Sequence, residues 1–211
     1  LNTVATQAFQ LWMTADMAEL GWLGGPASVS GFVEPFDTWA DMTHVLRWEQ
    51  WELPVKSIAY FCSVLPDPCS RHAAAGPVLV TARNDEVRKN AVGFLDHHIG
   101  WLWPDAVQRG EFRWEVLADK SPAEGEKRFF SQYWRANVAP TDRYVVSLPG
   151  TIQHRISPLD MIADNLTVAG DWTASGLNSG CVESAVMSGL LAAHALSKSP
   201  RLEDIIGYDH P

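Results

Sequence analysis

The order of residue types between 165 and 200 constrains this chain more than any other feature. An apolar run, Asn-Leu-Thr-Val-Ala at 165–169, leads into Gly170-Asp171, then a small-residue loop from Thr173 to Gly180, then an Ala/Leu-rich run that Pro200 stops. That order predicts a short strand, a tight turn, a loop and a helix over about Val182–Ser197. A helix start exposes unpaired backbone N–H groups at the positive end of the helix dipole, a setting that favours an anion or a polarised oxygen. Gly180 lets backbone approach a ligand without an intervening Cβ. Asp171, at the carboxyl end of a strand, is an acceptor for hydroxyls such as those of a ribose or ribityl chain. Gly-Asp turns and Ala/Gly helices also serve plain close packing, and spacing alone does not separate the two uses.

Composition narrows the rest. The 211 residues carry 16 Lys+Arg against 25 Asp+Glu, a net charge of −9, without a basic run. A phosphate backbone needs a basic face, so nucleic acid is excluded as the expected partner. No stretch approaches the roughly 18–20 uninterrupted apolar residues of a membrane span. Cys62, Cys69 and Cys181 are odd in number and too few for a disulfide framework, which predicts a reducing, cytoplasmic setting. The chain starts at Leu1 with no visible signal peptide, as expected of a processed or truncated piece. Ten tryptophans serve either core packing or, as a set, an aromatic-lined cavity for an apolar substrate.

Further elements follow from pattern. Alternation over 3–12 is compatible with a strand, and 14–20 reads as a short helix closed by Gly21. Ser57–Val64 reads as a buried strand between Pro54 and Pro66. Asn84 is a candidate N-cap for a helix over 84–100, with Val87, Ala91, Phe94, Leu95 and Ile99 at helical spacing. A polar loop is expected over 121–126 and a strand over 144–148.

The segments from Asn165 to Thr173 and from Ser179 to Gly189 together resemble the C-terminal FAD-binding motif of the flavin amine oxidase and carotenoid desaturase-like superfamily. Ser184 stands where that family usually has Gly. The resemblance implies FAD as cofactor, with Asp171 accepting a hydrogen bond from the ribityl or pyrophosphate-adjacent region. It also implies that the amides of Gly180, Cys181 and Val182 face the flavin edge, Gly170 shapes the turn, and Gly180 and Glu183 form N-cap and N3 of the helix. The family's dinucleotide fingerprint, G-x-G-x-x-G, is missing: the 15 glycines contain no pair at i, i+2. The expectation is therefore a C-terminal fragment that binds FAD weakly or not at all alone, its missing partner being the N-terminal FAD-binding segment.

Other candidates rank lower. The spacing of Cys62, Cys69 and His72 fits no common zinc pattern, so no metal site is expected. His97-His98 suits a helix C-terminus. Cys181 suits packing better than nucleophilic attack, and Ser175 and Ser179 lack a hydrolase elbow. His154 and Arg155 either face a substrate or form a surface ion pair. No residue announces itself as a catalytic acid or base.

The resulting expectation is an α/β chain: residues 1–150 an α+β substrate-binding domain, partial, with a mixed sheet, and 151–211 the closing strand–helix piece of a Rossmann-like FAD-binding domain. The expected activity is oxidoreductase chemistry, removing hydride from a C–N or C–C bond of a small apolar or amine substrate. The alternative is a non-catalytic interaction module that keeps the motif for packing only. Self-association of the fragment is expected if apolar surface is left bare.

Overall fold

The computed structural model describes residues 2–66, 76–161 and 163–209. The chain combines helices with antiparallel sheets, an α/β fold, and divides into two compact units. One unit is Val4–Arg143; the other is Leu1–Thr3 with Tyr144–Pro211.

The Val4–Arg143 unit is built on one sheet of five strands: β1 (Thr6–Met13), β2 (Ser28–Val29), β3 (Thr38–Asp41), β4 (Ser57–Val64) and β5 (Tyr133–Asn137). Their order is β2-β3-β4-β1-β5. Every neighbouring pair is antiparallel, which corrects the expected mixed sheet. The one long helical crossover, α1 (Pro77–His97), joins β4 to β5, and β1 lies between those two strands. The helix therefore arches over an intervening strand instead of making two neighbours parallel.

The central pair sets Phe9 of β1 opposite Phe61 of β4. Their rings stack at 4.6 Å and 9°, and Phe36 meets Phe9 edge-on, also at 4.6 Å. The α1 residues Val87, Ala91, Phe94 and Leu95 recur at helical spacing and close the same core. Trp39 and Trp103 are completely buried and meet edge-to-face at 6.0 Å, so these two indoles are packing residues and line no substrate cavity.

Some buried polar groups in this core are satisfied across elements, whereas the indole N–H groups of Trp39 and Trp103 meet no acceptor among the described residues. Gln7, fully buried, donates to the Pro35 carbonyl at 2.9 Å and accepts from Asn90 of α1 at 3.1 Å. Asn84 Oδ1 accepts the outward-facing Ala136 amide of β5 at 2.8 Å. Asn84 is thus a mid-helix residue bound to the sheet edge, correcting its reading as N-cap. The helix starts two turns earlier because Pro77, at its first turn, is pre-set for a helix and has no N–H to lose.

Residues 14–20 form a single turn in place of the expected helix. Asp16 and Glu19 cap each other's amides at 2.8 Å each, and Gly21, at φ 92°, ends the turn at once. The expected strand at 144–148 is limited to Tyr144–Val145.

In the second unit, α2 (Val182–Ser197) matches the expected helix. Its buried face, Ser184, Met187, Ser188, Leu191 and Ala192, follows helical spacing; Met187 and Leu191 pack with Ile205, Leu202 and Tyr208. The expected strand at 165–169 does not form. Only an isolated bridge, Ala163 to Leu166, occurs there. An apolar run becomes a strand when a neighbour supplies a hydrogen-bond ladder, and no described strand lies beside it.

Candidate functional site

The Gly170-Asp171 turn is fastened to the middle of α2 by a closed ring of hydrogen bonds. The Gly170 amide donates to Ser188 Oγ at 2.9 Å. Thr173 Oγ1 donates to the Gly170 carbonyl at 2.8 Å. The two hydroxyls, Thr173 and Ser188, lie 2.7 Å apart. Each hydroxyl has one proton. Thr173 commits its own to Gly170, so Ser188 is the donor to Thr173 and its lone pair receives the Gly170 amide. Thr173 and Ser188 are both fully buried. Gly170 itself sits at φ 147°, and a Cβ there would strike the Trp172 indole, so only glycine fits.

One turn nearer the helix start, Ser175 Oγ and Ser184 Oγ lie 2.9 Å apart, and Ser175 Oγ also accepts the Asn178 amide at 3.2 Å. The loop thus lies on α2 through two hydroxyl pairs. Ser184 and Ser188, four residues apart on an otherwise apolar helix face, are the sequence signal that points to them.

The N-cap of α2 is Cys181, whose Sγ accepts the Ser184 amide at 3.4 Å. This corrects the assignment of Gly180 as N-cap and Glu183 as N3: Glu183 lies one residue earlier, in the first turn, and no reciprocal capping box forms. The amides of Gly180, Cys181 and Val182 donate to no described residue. The space beside Gly180 that a Cβ would fill holds the Tyr144 hydroxyl, which donates to the Gly180 carbonyl. The missing Cβ at this position therefore admits a tyrosine of the same chain.

Asp171 is half-buried, and its carboxylate binds no described residue. No hydrogen bond joins it to the amides of residues 180–182 among the described residues. Arg155 donates to the backbone carbonyls of Asp171 at 2.9 Å and Thr173 at 3.2 Å, and to Ser147 Oγ at 2.6 Å. It forms no ion pair among the described residues, which corrects the surface ion pair that sequence allowed.

The opposite face of α2 carries exposed Val182, Val186 and Leu190. With Leu177, Met187 and Ile206 they border a groove of about 610 Å³. Among the described residues there is no group of three or more His, Cys, Asp or Glu placed to hold a metal, and Cys69 and His72 lie outside those residues. No helix among the described residues is long and apolar enough to cross a membrane.

A helix start whose backbone amides donate to no described residue is a setting that favours an anion or a polarised oxygen. The chain belongs to the family of flavin-containing amine oxidoreductases, whose pattern matches residues 53–197. Flavin-dependent oxidoreductase chemistry and a flavin cofactor are the properties of that family. Comparison with curated proteins and with solved structures returns no match.

Proposed function

We propose that this chain supplies the closing turn and helix of an FAD site in an oxidoreductase that takes hydride from a C–N or C–C bond of a small apolar or amine substrate. The observation that carries the reading is the ring joining Gly170, Thr173 and Ser188, which fixes the acidic turn on α2 while leaving the Asp171 carboxylate unengaged. Asp171 is the acceptor for ribityl or ribose hydroxyls, and the amides of Gly180, Cys181 and Val182 stabilise negative charge near the ring edge. The flavin supplies the hydride chemistry; these residues bind and orient it.

The diphosphate cradle is supplied by an N-terminal segment of a longer protein, whose sheet gives the 165–169 run the neighbouring strand it lacks and completes a Rossmann-like domain. The bare apolar stripe of α2 supports that partner. Alone, this chain binds FAD weakly and self-associates through the stripe. The two described cysteines, Cys62 and Cys181, are free thiols, in keeping with a cytoplasmic setting.

In the full-length protein, Asp171→Ala lowers bound flavin, read as the ratio of flavin to protein absorbance, with the thermal midpoint of the apoprotein kept. Unchanged flavin content overturns the reading. One observation favours a non-catalytic packing module instead: Tyr144 occupies the approach to Gly180. Purification of the full-length protein without flavin, and no uptake on adding FAD, would establish that second reading.

A further inference from the structure

Arg155 follows the short turn Ile152–His154 and is half-buried. All three of its acceptors are neutral: the Asp171 and Thr173 carbonyls and Ser147 Oγ. Charge pairing therefore does not explain an arginine here. What arginine offers is a rigid planar fork with several N–H donors, whereas a lysine ammonium is a single point. One guanidinium nitrogen, Nη1, bridges two carbonyls that flank Trp172, so the backbone on both sides of that residue is held together. Alongside, the Ala174 amide donates to the Ile156 carbonyl at 2.9 Å, which holds the arginine's own segment against the turn. The other side of the turn is tied to α2 through Ser188. The backbone of Asp171 is thus fixed from two directions.

We infer that Arg155 is the positioning residue for the ligand-accepting carboxylate of Asp171. It touches no cofactor; it sets the turn from which Asp171 projects. The inference rests on the reading of Asp171 as an acceptor for flavin hydroxyls. If Arg155 acts through Asp171, its removal has no further effect once Asp171 can no longer accept strongly.

The experiment is a double-mutant cycle in the full-length protein, with FAD dissociation constants measured by flavin fluorescence. Arg155→Lys keeps the charge and loses the fork; it weakens FAD binding about tenfold, equivalent to about 1.4 kcal/mol. Asp171→Asn weakens binding by at least as much. The double variant binds no more weakly than Asp171→Asn alone. Millimolar guanidinium restores FAD binding to Arg155→Ala, a readout that general loss of packing does not give. Should Arg155 variants fail to fold, Ser147→Ala, which removes one acceptor of the fork, weakens FAD binding in the wild-type background and leaves Asp171→Asn unchanged. If Asp171→Asn binds FAD normally, the assignment of Asp171 itself falls. If Asp171→Asn weakens binding but the Arg155 or Ser147 effect is absent or adds in full, the positioning role falls and the Asp171 assignment stands.

Discussion

Ser188→Ala tests the hydrogen-bond ring directly. Ser188 is fully buried, receives the Gly170 amide at 2.9 Å and donates to Thr173 at 2.7 Å. The substitution removes one oxygen, so the cavity left behind is small and the loss is mostly polar. An amide stripped of its buried acceptor costs about 1–3 kcal/mol, and a lost neutral hydrogen bond costs about 1. Gly170 is only half-buried, so water reaches its N–H and the lower end of the range applies. The expected loss is about 2 kcal/mol, or about 4–8 °C in thermal midpoint for a chain of this size. Thr173→Val, close to isosteric, opens the same ring at another point. Because either cut breaks the circuit, the double variant loses about 1 kcal/mol less than the sum of the singles. Urea and thermal unfolding of the four proteins measure this. A Ser188→Ala loss under about 0.5 kcal/mol, the scale of an ordinary surface substitution, or full additivity, would refute the ring.

Two other predictions concern the sheet. Phe9→Ala removes a wholly buried ring in contact with Phe36, Phe61, Phe94 and Phe129, and costs about 3–5 kcal/mol; a urea midpoint implying less than half of that would show the core to be more compliant than its packing indicates. Tyr60 on β4 is pushed up to about 12, mainly by burial, with Cys62 and Tyr133 adding to it. Between its ordinary value of 10.0 and about 12 the unfolded chain has lost this proton while the native chain keeps it, so stability falls as pH rises through that window. Tyr60→Phe removes that part of the slope, measured as urea midpoints from pH 9 to 12; an unaltered slope would contradict the shift.

Elements whose cause is local were legible in the sequence. The strand Ser57–Val64 is an apolar run bracketed by prolines, and the helix Val182–Ser197 is an Ala/Leu run with a small-residue entry and a proline beyond its end. Elements whose cause is a distant partner were not. Asn84 resembles a cap in sequence because its amide can serve any nearby backbone; the Ala136 amide 52 residues away is what it serves. The 165–169 run has strand composition but no ladder. At the site, Asp171, the helix start and Arg155 could be picked out by residue type, whereas the partners of Arg155 could not, because two of them are backbone carbonyls that carry no signature in the sequence.

The Asn84 contact with β5 has a consequence for how molecules of this chain meet. The outer amide of Ala136 is already taken, and at the other border β2 is only two residues long. Each of these two borders therefore presents fewer open backbone groups on which a foreign strand could zip itself. Amyloid-style recruitment at these borders is discouraged by a single carboxamide and a truncated flank, and any stickiness of the molecule is diverted from backbone to greasy side chains.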